Sequence, residues 1–206
     1  RDITIQAGAT LRMSAANSVL EVKGNWNMYG SFDGTSSATC LVKFNGSGSQ
    51  SIGGSIYTIL KKWAVDNPAG ITLSTELRVD ANLNMINGII TTTGSGKINI
   101  FGGSVSRSNG WVNGTLQKYT FANASSVSNI TYEIGDAINY TPVNLSFPTG
   151  SITSGGGFSI RTSTGDHPNL GSSSLDGNLS VNRYWSFPLI GITFTSCTAT
   201  LNFISG

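Results

Sequence analysis

The sequence predicts an all-β chain: a short β-solenoid over residues 1–114, then an Ig-like antiparallel β-sandwich over residues 115–206 that is truncated at its C-terminal edge. Three observations predict it. Apolar residues recur as apolar–x–apolar pairs, the spacing of brief strands with one buried face. Clusters of Gly, Asn, Asp and Ser separate the pairs, as turns require. One stretch keeps a six-residue beat: Ile71, Leu77, Leu83 and Ile89, with Leu73, Val79 and Met85 repeating it two residues later.

The first half is read strand by strand. Ile3/Ile5, Leu11/Met13, Leu20/Val22, Trp26/Met28, Val42/Phe44, Trp63/Val65, Ile71/Leu73, Leu77/Val79, Leu83/Met85 and Ile98/Ile100 all carry the period-two signature. A strand plus a corner every six residues makes one face of a solenoid, and three faces make a coil of about 18–20 residues, the regime of β-helices. Ile71, Leu73, Leu77, Val79, Leu83 and Met85 are then expected to line the interior. The spacing before Val65 is less regular, so a hairpin or an out-looping segment is expected around residues 45–54.

The pattern changes after Asn113-Gly114. Segments lengthen and alternate with polar partners: Ile130-Tyr132-Ile134, Val143-Leu145-Phe147, Phe158-Ile160, Tyr184-Trp185-Phe187, Ile192-Phe194 and Ala199-Leu201-Phe203. That is the habit of antiparallel strands with one wet face. The label Ig-like is architectural, because the Cys…Trp…Cys spacing of antibody domains is missing.

Composition narrows the function. Of 206 residues, 26 are Gly, 29 Ser, 22 Thr and 19 Asn, while only 11% are charged and the net charge is +2. Coiled coils need Glu/Lys/Arg-rich heptads, which are missing. No basic run exceeds Lys61-Lys62, which argues against nucleic acid as a partner. No apolar stretch approaches the about 20 residues of a membrane span. Cys40 and Cys197 are expected to be free thiols rather than a bridge. The chain starts without an initiator Met or a signal peptide, and is read as an internal piece of a longer exported protein.

Several strings then occur in order. Phe44-Asn45-Gly46-Ser47-Gly48-Ser49-Gln50-Ser51-Ile52-Gly53-Gly54 precedes Trp63-Ala64-Val65-Asp66-Asn67-Pro68-Ala69-Gly70 and Leu83-Asn84-Met85-Ile86-Asn87-Gly88. Tyr132-Glu133-Ile134-Gly135-Asp136, Gly165-Asp166-His167-Pro168-Asn169 and Asn182-Arg183-Tyr184-Trp185 follow. The ordered set resembles the repeat regions of large cell-surface, adhesin-like proteins of Bacteroidota that are exported by the type IX secretion system. The resemblance implies a secreted or cell-surface location on the outer side of the outer membrane. It implies neighbouring modules of a longer chain and the type IX export machinery as partners, with surface glycans as candidate ligands. The usual repeat carries fewer bulky residues than Ile59-Leu60-Lys61-Lys62-Trp63.

The search for chemistry yields little. His167 is the only histidine, next to Pro168-Asn169, a turn signature rather than half of a catalytic pair. Asp136, Asp166, Asp176 and Glu133 lack calcium-loop spacing and read as solvated turn acids. Gly102-Gly103, Gly155-Gly156-Gly157 and Gly46-Ser47-Gly48 lack the Gly-Lys-Ser/Thr ending of a phosphate loop. Gly46-Ser47-Gly48 and Gly94-Ser95-Gly96 are too short for a nucleophile elbow. The sequons at Asn45, Asn113, Asn123, Asn129, Asn139, Asn144 and Asn178 follow from composition. Arg183 is expected to make a structural salt bridge or aromatic contact. No catalytic residue, metal ligand or cofactor is assigned. Trp26, Tyr29, Trp63 and Trp111 are the candidate ligand contacts, since exposed aromatics stack on sugars, although Trp26 and Trp63 also fit core packing at strand spacing. The expected function is a non-enzymatic structural stalk or adhesin module. The alternatives are a glycan-binding module and, behind it, a β-helix polysaccharide-degrading enzyme using Asp66 and Asp80 from adjacent faces.

Overall fold

The computed structural model describes residues 1–34, 39–120 and 128–204. Its regular structure is all β, apart from two single 3-10 turns at Leu170–Ser172 and Gly177–Leu179. The first sheet has seven strands, all parallel: Ile3–Ile5, Trp26–Met28, Gln50–Gly54, Ile71–Leu73, Ile89–Thr92, Trp111–Asn113 and Ile134–Gly135. A second parallel ladder runs beside it, through Val19–Val22, Leu41–Phe44, Thr58–Asp66, Glu76–Asn87, Lys97–Ile100 and Leu116–Thr120. The chain alternates between the two sheets and climbs one coil at each pass, a β-solenoid of about six turns.

Coil length is less uniform than the beat suggests. Ile98 pairs with Leu116, 18 residues on, whereas Trp26 pairs with Ile52, 26 residues on. Residues 45–54, expected to loop out, instead carry the strand Gln50–Gly54, paired on both sides within the first sheet. The two long strands, Thr58–Asp66 and Glu76–Asn87, bend across two faces, with a register shift between Val79 and Asn82.

The interior is a stack of apolar side chains. Ile71, Leu73, Leu77, Val79, Leu83 and Met85 are all buried, at 0–2% exposure, as expected. Burying each one stabilises the fold by about 1.5–3 kcal/mol. The six-residue beat ends one step early, however: Ile90 is the buried residue and Ile89 is half-buried. Between them and Met85 lies Gly88, at φ +91°. A Cβ there would sit 1.8 Å from the Asn67 carbonyl oxygen of the coil below. The corner therefore requires glycine, and the left-handed residue shifts the in–out parity by one.

One corner of the interior is polar. Gln50 and Asn67 are 3% and 0% exposed. Asn67 Nδ2 donates to Gln50 Oε1 at 2.8 Å, and Gln50 Nε2 donates to the Val22 carbonyl at 3.0 Å. The two amides thus tie successive coils together where the backbone turns and the sheets leave peptide groups unpaired.

Parallel pairing continues past residue 114, to Ile100↔Lys118 in one sheet and Asn113↔Gly135 in the other. Strand direction reverses after that. Gly156–Thr164 adds to Leu116–Thr120 in antiparallel sense and pairs in turn with Arg183–Ser186. Ser128–Tyr132, Val143–Phe147 and Thr198–Leu201 form a separate antiparallel sheet. Phe147, Phe158 and Phe194 meet between these layers, with ring centroids 5.5–5.9 Å apart. Their cluster is continuous with the solenoid core.

Candidate functional site

The outer face of the second sheet carries most of the solenoid's charge. Parallel pairing one coil apart places acids beside bases. Lys43 meets Asp66 at 2.9 Å, Lys97 meets Glu76 at 3.1 Å, and Asp80 takes Arg78 Nε at 2.6 Å with Lys61 at 3.5 Å. Burial alone pushes the Glu76 carboxyl up, but hydrogen bonds from Asn99 and Lys97 outweigh it and hold the group below the usual carboxylate range. Asp66 and Asp80, the pair on which an enzyme reading depended, are each held by cations of their own.

The four aromatic candidates have different fates. Trp26 and Trp63 are 1% and 0% exposed and present no ring face to a ligand. They form a core column with Phe32 and Phe44: Trp26 meets Phe32 edge-on at 5.2 Å, and Phe44 meets Trp63 edge-on at 6.1 Å. The strand alternation that suggested packing is what points both rings inward. Tyr29 stays exposed at 41%. Trp111 is half-buried, tilted against Tyr140 at 6.4 Å, and its indole Nε1 donates to the Asp136 carbonyl at 2.7 Å.

Two aromatic residues outside that set are placed together. Phe101 follows the strand Lys97–Ile100, and Tyr119 lies in the neighbouring Leu116–Thr120, 18 residues on, the same step that separates Ile98 from Leu116. Their rings meet edge-on at 5.0 Å, and the Arg78 guanidinium carbon lies 4.0 Å above the Phe101 ring. With Gly156 and Ile190 they wall a cleft of about 360 Å³. Tyr119 also borders a second cleft of about 350 Å³, lined by Ser104, Asn129, Thr131 and Glu133. The sequence reading weighed Gly102-Gly103 as a phosphate loop and did not single out the neighbouring Phe101. The coil-spaced recurrence of Phe101 and Tyr119 was the available signal.

The closing end holds two buried ion pairs. Lys118 Nζ lies 2.6 Å from Glu133 Oε2, both about one-tenth exposed. Burial pulls the Lys118 ammonium below the usual lysine value, against the upward pull of Glu133. Arg183, as expected, makes a structural salt bridge: it pairs with Asp136 and reaches Thr162 Oγ1 at 3.1 Å. Burial pushes the Asp136 carboxyl up, but Arg183 and the N–H groups of Ile138 and Asn139 outweigh it and hold it down. Asp136 and Glu133 are thus buried partners, not the solvated turn acids that were expected.

The remaining candidates sit in turns. His167 is exposed; its Nδ1 accepts the Asn169 N–H at 3.1 Å, and its ring meets Tyr184 edge-on. Asp176 caps the turn Gly177–Leu179 by accepting from the Asn178 N–H. Cys40 is buried, Cys197 is half-buried, and both are free. Asn123 lies outside the described residues. Among the described residues, no cluster of three His, Cys, Asp or Glu side chains is arranged to hold a metal, and no helix is long and apolar enough to cross a membrane. No protein-family model, curated protein or solved structure matches the chain.

Proposed function

We propose that the chain is a non-enzymatic structural module, a stalk or adhesin segment, of an exported cell-surface protein. The observation that carries this reading is the disposition of the solenoid's carboxylates. Asp66, Asp80 and Glu76 are spent in cross-coil ion pairs, where they align neighbouring coils instead of facing a groove with a free general acid and base. Backbone ladders supply rigidity along the axis with little surface charge. The secreted or surface location, the neighbouring modules and type IX export rest on the ordered strings of the sequence. An Ig-like reading of the closing end is supported by the Phe147–Phe158–Phe194 cluster between two antiparallel layers.

The test is incubation of the folded chain with panels of polysaccharides and peptides. Every substrate should remain intact by size analysis. Reproducible cleavage that disappears in Asp66→Asn, Asp80→Asn or His167→Ala would replace the structural reading with an enzymatic one.

A further inference from the structure

We propose that the first coil of the solenoid is a dimerisation surface: a second copy of the chain docks on it head-to-head, pairing its Ile3–Ile5 edge antiparallel with the same edge of the first. This goes beyond the stalk reading and does not rest on it. The edge is bare. Among the described residues, Ile3–Ile5 pairs only with Trp26–Met28, Thr10–Arg12 only with Ser31–Asp33, and Val19–Val22 only with Leu41–Phe44. The Ile3 N–H donates to the Asn25 carbonyl and the Ile5 carbonyl accepts from the Tyr29 N–H, so both face the second coil. Successive residues of a strand direct their peptide groups to opposite edges, which leaves the Thr4 N–H and carbonyl pointing away from it.

The core is open at the same place. Ile3 stacks on Trp26 and Leu20 on Val42, which are 1% and 2% exposed, yet Ile3, Leu11 and Leu20 are only half-buried. A hollow of about 270 Å³ lies among Ile3, Ile5, Ala9 and Leu11, so the chain's own side chains do not close this end. A row of free peptide groups beside apolar side chains is matched by another strand with one apolar face.

Three features select a copy of this chain as that strand. First, Ile3-Thr4-Ile5 reads the same in both directions. A two-fold axis through Thr4 therefore sets Thr4 against Thr4 as a pair exchanging two backbone bonds, and Ile3 against Ile5 on the side that packs on the core. Second, charge permits the approach. Arg12 is paired with Asp33, and the exposed Arg1 and Lys23 are balanced at this end by Asp2 and Glu21. Third, the opposite end is closed. Gly156–Thr164 covers Leu116–Thr120, and the Thr141 N–H donates to the Ile134 carbonyl at 3.0 Å beside the Gly135–Tyr140 bridge. Head-to-tail stacking is thus blocked, and association stops at two.

The experiment is sedimentation equilibrium of the folded chain over a dilution series, joined to disulfide crosslinking at the axis. The parent should sediment at twice its 21.6 kDa mass and dissociate on dilution. Thr4→Pro removes a donor that the fold does not use, and should weaken the dimer at least about tenfold while the circular dichroism spectrum stays that of the parent. Thr4→Val keeps the N–H and should dimerise as the parent does. In a Cys197→Ser background, Thr4→Cys sets two thiols across the axis, with Cα atoms about 5.5 Å apart, and should give a covalent dimer on mild oxidation. Gln6→Cys in the same background faces Asp2 of the copy and should not crosslink. The proposal is overturned if the chain is monomeric at every concentration, if it forms larger assemblies, if Thr4→Pro dimerises as tightly as the parent, or if Thr4→Cys crosslinks no better than Gln6→Cys.

Discussion

The coils and the closing end handle charge in opposite ways. Along the coils the interior is mostly apolar, its buried polar side chains such as Gln50, Thr58 and Asn67 are hydrogen-bonded, and the ion pairs on the outer face of the second sheet have side chains 16–37% exposed. In the closing end, Lys118–Glu133 and Arg183–Asp136 are buried to about one-tenth exposure or less. The difference follows from geometry. In a repeating coil each residue stacks on its equivalent one coil away, so in and out are decided by parity and a charge is easily kept outside. Where parallel strands give way to antiparallel ones the repeat is lost, and with it the parity that keeps charges outside. The charges buried there hold firmly only while both partners are present.

The comparison can be broken most severely from inside the coils. Leu77→Asp would bury an unpaired charge at a position with no exposure and should cost several kcal/mol, enough to unfold the chain or lower its urea midpoint steeply. A variant that melts like the parent would mean that the coil register is wrong. At the closing end, Arg183→Met leaves Asp136 buried and uncompensated and should cost about 3–5 kcal/mol. Replacing both partners, with Arg183→Met and Asp136→Asn together, should recover much of that loss, because asparagine removes the orphaned charge while its Oδ1 still accepts from the Ile138 and Asn139 N–H groups.

Acidity sharpens the same contrast. The Asp136 carboxyl titrates below its ordinary value in the folded chain, so the unfolded chain takes up its proton first as pH falls. Its contribution is therefore fully present above about pH 4 and is lost as pH drops through the folded value. Melting temperature followed downward from pH 5 should fall less steeply in Asp136→Asn than in the parent. At the corner, Gly88→Ala forces a Cβ against the Asn67 carbonyl at a positive φ and should cost about 1–3 kcal/mol. The smallest effect belongs to the outer face: Lys97→Met removes an exposed partner of Glu76 and should change stability by less than about 1 kcal/mol in a denaturant titration.

What the sequence revealed follows the same division. The interior of the coils between Ile71 and Met85 was legible because period two and period six coincide there. The parity shift at Gly88 was not, since nothing local distinguishes a corner glycine with positive φ from any other in a Gly-rich chain. Residues 45–54 looked irregular because Gln50, a polar residue, occupies a buried position. The Lys118–Glu133 pair escaped, and the salt bridge expected of Arg183 came without its partner Asp136, because the partners lie 15 and 47 residues apart and meet only once the antiparallel strands fold back. Trp26 and Trp63 illustrate the ambiguity of aromatics: alternation placed them on a strand face, and only the assembled coils show that the face is internal.

The central claim is that the coils and the closing end share one core and stand or fall together. Native-state hydrogen exchange tests it directly. Amides in Glu76–Asn87, Lys97–Ile100 and Gly156–Thr164 should exchange through openings of the same free energy, and Asp136→Asn should lower all three alike. If Gly156–Thr164 instead opens far more readily, and Asp136→Asn loosens it while Glu76–Asn87 keeps its protection, the two regions are separate units and the account is wrong.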